Sequence, residues 1–185
     1  TQQCQLVAKY YDKAGNVRES LAALRKMVDL DPDNVESRRK LAELYSRQDM
    51  VGEAVTEFRR AAAYLKKANR AEDYLKTMDR IGQLVPDDAG VAKELAQAFL
   101  SRGEAKRALA KLQVCFRQNP RDVDTLQMLA RAFQELGQTA KTVSVYRELV
   151  HVLAEQGQDE QRRRVLETIL VLVPGDPEAT EALQH

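Results

Sequence analysis

Proline punctuates the chain at Pro32, Pro86, Pro120 and Pro174, and the intervals run 54, 34 and 54 residues. Adding 88 to either of the first two positions gives one of the second two, and the whole chain then aligns with itself without a gap. Gly15 falls on Gly103, Leu21 on Leu109, Leu24 on Leu112, Val35 on Val123, Leu41 on Leu129, Tyr45 on Phe133, Phe58 on Tyr146, and Ile81 with Leu84 on Ile169 with Leu172. A chain doubled in this way builds one supersecondary unit repeatedly, and stacked neighbours bury faces that no unit could bury alone. Residues 1–88 and 89–176 are read as two copies of one unit, with 177–185 as the start of a third.

The content of the unit follows from composition and apolar spacing. With no Trp, 5% aromatic residues, eight Gly and five Pro in 185 residues, the chain is rich in straight-chain helix formers and poor in turn and β-forming residues. Breaks near Gly15, Asp33–Asn34, Asp49, Asn69 and Asp87–Asp88 recur near Gly103, Arg121–Asp122, Gly137, Gly157 and Gly175–Asp176. They delimit helices near 2–14, 16–30, 34–47, 50–68, 70–84, 88–101, 104–118, 122–136, 138–156 and 159–173, with a short one near 177–184. Apolar residues recur inside them at three and four, as in Leu41, Leu44 and Tyr45 or Leu126, Leu129 and Phe133, so each helix has one face built for burial. The expected fold is all-α with about 11 helices.

In 1–34 a helix-turn-helix pattern holds Cys4, Val7-Ala8, Tyr11, Ser20, Leu24, Met27 and Pro32, and in 89–122 it holds Ala92, Leu95-Ala96, Phe99, Ala108, Leu112, Cys115 and Pro120. The segment 35–68 places Arg38, Leu41-Ala42, Tyr45, Ala54, Phe58 and Ala61 in the same register, and 123–156 places Leu126, Leu129-Ala130, Phe133, Thr142, Tyr146 and Leu149 there. This resembles the tetratricopeptide repeat, a 34-residue unit with a large apolar residue, a Leu-small pair, an aromatic, a further small residue and an exit Pro at these places. The resemblance implies a right-handed α-solenoid. Where the exit Pro is missing after 35–68 and 123–156, a third helix follows, and Phe58 and Tyr146 each fill two pattern positions. Each unit is then a helix pair, 1–34 or 89–122, followed by a helix triplet, 35–88 or 123–176. The expected parent is a longer array from which this stretch is cut.

Several function classes fall away on composition. Lys plus Arg number 29 against 28 Asp plus Glu, a net charge of +1 that does not recommend a nucleic-acid or anionic-membrane partner. No run of some 18 apolar residues exists to span a membrane. Cys4 and Cys115 sit at apolar helical positions without a CxxC partner and read as buried free thiols, which points to the cytoplasm. The two histidines, His151 and His185, form no ligand or base pairing, and the glycines form no phosphate loop. Asp31-Pro32-Asp33 and Asp87-Asp88 read as turn residues that cap the following helices. The expectation is a non-enzyme with no metal and no cofactor.

What remains is surface. In the tetratricopeptide family the first helices of the hairpins line a concave groove, and the resemblance carries those places onto Lys9, Lys13, Arg39, Glu43, Arg47, Arg59, Lys66 and Lys67 in the first unit. In the second they fall on Lys93, Gln97, Leu100, Arg131, Gln134, Arg147 and His151. The first-unit groove is expected to be basic and the second mixed, which suits an acidic peptide or acidic protein surface. Two groove asparagines that mark binders of chaperone tails are missing, since Asn16, Asn34, Asn69 and Asn119 all sit at turns. The resulting reading is a protein-interaction module, monomeric or weakly self-associating. It resembles segments of large bacterial adaptors of motility, pilus or secretion machines. A structural spacer and the regulatory domain of a larger enzyme are the alternatives.

Overall fold

A computed structural model describes residues 16–184. Among them are α1 (Val17–Leu30), α2 (Val35–Arg47), α3 (Val51–Lys67), α4 (Ala71–Leu84), α5 (Ala89–Ser101), α6 (Ala105–Gln118), α7 (Val123–Glu135), α8 (Thr139–Glu155), α9 (Asp159–Leu172) and α10 (Pro177–Ala182), and no strand. The all-α expectation holds, and each helix agrees with its expected bounds to within two residues. The helix expected near 2–14 lies outside the described residues, together with Cys4, Lys9 and Lys13. The bounds of α6 to α9 repeat those of α1 to α4 at a shift of 88 residues.

The chain divides between Pro86 and Asp87 into two compact units. In the first, α2 packs on α1 and on α3, and α3 packs in addition on α4. In the second, α5 packs on α6, α6 on α7, α7 on α8, α8 on α9 and α9 on α10, while α5 also touches α7.

Two kinds of turn join the helices. After α2, α3, α5, α7 and α8 the chain reverses through a left-handed residue: Asp49 (φ 56°), Asn69 (φ 55°), Gly103 (φ 72°), Gly137 (φ 68°) and Gly157 (φ 66°). The next amide then bonds back five residues, as Met50 N–H does to the Tyr45 carbonyl at 3.0 Å and Gln138 N–H to the Phe133 carbonyl at 2.9 Å. This is the Schellman closure that satisfies otherwise orphaned carbonyls. The proline-type turns end instead on a side-chain cap. Asn34, Asp88, Asp122 and Asp176 accept the amides of Ser37, Val91, Thr125 and Ala179. Asp88 caps as expected. At the first such turn the cap is Asn34 and neither Asp31 nor Asp33, because α2 starts at Val35 and only the residue directly before it can reach the exposed amides. Asp31 accepts a bond from the Asn34 amide group at 3.2 Å.

The apolar stripes meet as their spacing requires. Leu24, Met27, Val28, Leu41, Leu44, Tyr45 and Ala54 form one cluster across α1 to α3, and Leu126, Leu149, Val152, Leu153 and Val165 form another across α7 to α9. Fully burying each Leu or Phe contributes about 1.5–3 kcal/mol against exposure. The small residues Ser20, Ala54, Ala61, Ala96, Ala108, Ala130 and Thr142 are buried nearly completely, which lets paired helices approach closely. Cys115 is a buried free thiol, and burial pushes it above the usual thiol range.

Candidate functional site

Regular helices put residues four apart on one face, so Arg39, Glu43 and Arg47 share a side of α2. That side meets α4. Arg80 of α4 clamps Glu43 with two bonds of 2.9 Å each and reaches the Ser46 hydroxyl at 3.2 Å. The Glu43 carboxylate accepts a hydrogen bond that favours the charged guanidinium, and this raises Arg80 above its usual range against the opposing effect of burial. Asp73 of α4 is held below the usual carboxylate range first by its bond from Arg70, with Arg39 among the more distant cations that act the same way. Lys66, on α3, lies over the Tyr74 ring at 5.9 Å. Arg47 and Arg59 are exposed, and Arg39 is partly buried. Glu43 on this side of α2 is thus engaged by α4, and Lys66 of α3 reaches α4 through the Tyr74 ring.

In the second unit the three cations expected in the groove, Lys93, Arg131 and Arg147, act as ties within the chain. Lys93 of α5 donates to Asp122 and Asp124 of α7, both at 2.9 Å. Burial works against the Lys93 charge, but the two carboxylates outweigh it and leave the ammonium above its usual range. Burial likewise raises Asp122, and the bonds from Lys93 and Thr125 outweigh it, so its carboxyl is lowered. Arg131 donates to the Leu100 carbonyl at 3.1 Å and pairs with Glu135 at 2.8 Å. Arg147 of α8 bonds Asp176 at 2.7 Å and lies 3.0 Å from Glu178. Asp176 is held low first by the Ala179 amide and then by Arg147. Gln97, Gln134 and His151 are exposed, whereas Leu100 is 2% exposed and belongs to the core.

Three charged side chains with structural partners, Arg80, Arg38 and Glu57, were not among the expected groove residues. Arg80 was assigned no role because its helix follows the expected groove helices in sequence. Arg38 and Glu57 form a nearly buried ion pair of 2.7 Å, with side chains 12% and 10% exposed, and the other Glu57 oxygen accepts from Arg60 at 2.8 Å. Their signal was legible: both charges interrupt apolar periodicity, and 88 residues on they are replaced together by Leu126 and Val145. Among the described residues no group of three or more His, Cys, Asp or Glu could hold a metal ion, and no helix is long and apolar enough to cross a membrane.

The family model described as "Bacterial transcriptional activator domain" matches residues 69–170. Cellulose synthase operon protein C of Xanthomonas axonopodis pv. citri (strain 306) is 30% identical over 143 residues, or 77% of this chain. The match spans 9% of that protein's length. Among solved structures, MamA residues 41 to the end from Desulfovibrio magneticus RS-1 is 15% identical with a TM-score of 0.47, covering 100% of this chain and 89% of that one. A tetratricopeptide repeat protein from Parabacteroides merdae ATCC 43184 is 11% identical with a TM-score of 0.48, covering 99% of this chain and 77% of that one.

Proposed function

The chain belongs to the bacterial transcriptional activator domain family, and from that membership we propose that it is a protein-interaction module whose basic α2–α4 face docks an acidic peptide or acidic protein surface. One observation carries the reading. Arg80 engages both oxygens of Glu43 on the side of α2 that also carries Arg39 and Arg47, with the exposed Arg59 and Lys66 on the neighbouring α3. A partner carboxylate arriving there gains charge-assisted bonds, and the surrounding charge speeds its encounter. The near-neutral bulk charge favours a protein over a nucleic acid as that partner. The 88-residue units, each a helix pair and a helix triplet, would form the scaffold. A much longer repeat protein would present it, in keeping with the small share of the Xanthomonas relative that the chain spans. An adaptor of a bacterial export, motility or pilus machine, working in the cytoplasm as a monomer without a cofactor, fits this reading.

The test is a pull-down from a lysate of the encoding organism with the wild-type chain and with Arg39→Glu, Arg47→Glu and Arg59→Glu combined. Captured partners should disappear from the triple variant while its helical circular dichroism stays intact. Unchanged capture would sink the groove reading. A second reading, self-association, is favoured by the exposed apolar side chains Val171 (79%), Val173 and Leu30 (64%). Sedimentation that remains monomeric as concentration rises counts against it.

A further inference from the structure

On the first unit an open depression of about 580 Å³ is bounded by Pro32 and Asp33 of the α1–α2 turn, Arg38 of α2, and Arg60, Tyr64 and Lys67 of α3, and of these only Lys67 was an expected groove residue. We infer that this depression is a second docking site, for a partner peptide segment carrying a carboxylate beside an apolar side chain.

The floor is prearranged. Arg38 donates its Nε to the Pro32 carbonyl at 2.6 Å and an Nη to Glu57 at 2.7 Å, which locks the guanidinium in place. Arg60 takes the remaining Glu57 oxygen at 2.8 Å, so one carboxylate serves two guanidinium groups and one positive charge is left over. Lys67 adds another at the rim, against the single acid Asp33. Tyr64 stands 38% exposed beside two alanines and the proline ring, a surface suited to an aliphatic or aromatic side chain. A carboxylate next to an apolar residue satisfies both halves of the site, in the way that interfaces set a polar rim around an apolar anchor.

The second unit supplies the internal contrast. Eighty-eight residues on, Asp33 and Lys67 become Arg121 and Glu155, and these form an ion pair across the same place. Arg60 becomes Glu148 and Tyr64 becomes Val152. The corresponding position there is bridged, acidic and without the exposed ring, so only the first unit carries the site.

The test is a titration of the isotope-labelled chain with the capped peptide Gly-Glu-Leu-Glu-Phe-Gly, followed by amide chemical shifts. Saturable shifts should centre on Tyr64 and Lys67 and spare Val152 and Glu155. The double variant Asp33→Arg with Lys67→Glu installs the bridge of the second unit and should weaken binding by roughly tenfold or more. Tyr64→Ala, at an exposed position that leaves the fold intact, should weaken it as well. The inference is overturned if the Lys-for-Glu peptide binds equally, if the double variant binds like wild type, or if shifts spread over both units. It is also overturned if inorganic phosphate at matched ionic strength reproduces the shifts, which would mark a bare anion site.

Discussion

Helices α1 to α4 and α6 to α9 have the same lengths and the same turn types, yet they solve the same packing problem with different chemistry. Arg38 and Glu57 form an ion pair where the second set buries Leu126 against Val145. Arg25 donates to the Tyr45 hydroxyl at 2.6 Å, where the second set has Gln113 and Phe133 and needs no such bond. Asp49 and Asn69 take the left-handed conformation that Gly137 and Gly157 take later. The helical frame is therefore indifferent to whether a contact is polar or apolar, provided that both partners change together. An apolar residue facing a buried charge would leave that charge uncompensated.

The largest expected effect comes from breaking that joint exchange. Glu57→Val alone strands the Arg38 guanidinium in a nearly buried site and should destabilise the first unit by about 3 kcal/mol, read from urea unfolding. Arg38→Leu with Glu57→Val copies the pair of the second unit and should fall within about 1 kcal/mol of wild type or above it. Equal losses in the single and double variants would show that the pair is not the coupled element. With two compact units, both transitions must be fitted separately.

A smaller effect is expected at the turns. Gly137→Ala meets no steric neighbour but must hold a left-handed φ, which should cost about 1 kcal/mol. The reverse exchange, Asp49→Gly, relieves the same strain and should stabilise by at most about 0.5 kcal/mol, because glycine also loosens the unfolded chain. Thermal midpoints of the two variants should move in opposite directions, and a shared direction would contradict the equivalence of the turns.

The smallest effect separates the units by pH. Asp122 caps α7 and ties it to Lys93, whereas Asn34 caps α2 without a charge. Because the folded Asp122 carboxyl is lowered, its stabilisation is fully present above the unfolded carboxylate value near about pH 4 and is lost as pH falls through the lower folded value. Lys93 is raised, so its share is present below about pH 10 and fades as pH climbs through the folded value. Both side chains are about a third exposed, so solvent screening limits the pair. Asp122→Asn should cost on the order of 0.5–1 kcal/mol at neutral pH and flatten the acid limb of the second unit. An unaltered acid limb would remove Asp122 from the account.

Helix positions, turn sites and the buried faces were legible because each depends on nearest neighbours along the chain: 3.6-residue periodicity, a left-handed break, a capping side chain. Partner assignment was not. Lys93, Arg131 and Arg147 lie on the expected faces, yet their charges are met by Asp122, Glu135 and Asp176 within the chain. Glu43 finds Arg80 thirty-seven residues away. Such pairings depend on which helix ends and faces are brought together, and a single sequence does not display that distance.

The amino-acid order alone was thus enough for an all-helical chain doubled at 88 residues, because burying an apolar stripe leaves a helix few alternatives. Packing alone decided which charges stay available. Whether a lysine or arginine waits for a partner or ties one helix to the next turns on a few ångströms of separation between side chains far apart in sequence. It also turns on the desolvation that follows from their burial. For that reason Arg38 serves as the fixed floor of a depression, while Leu126, in the same register, is ordinary core.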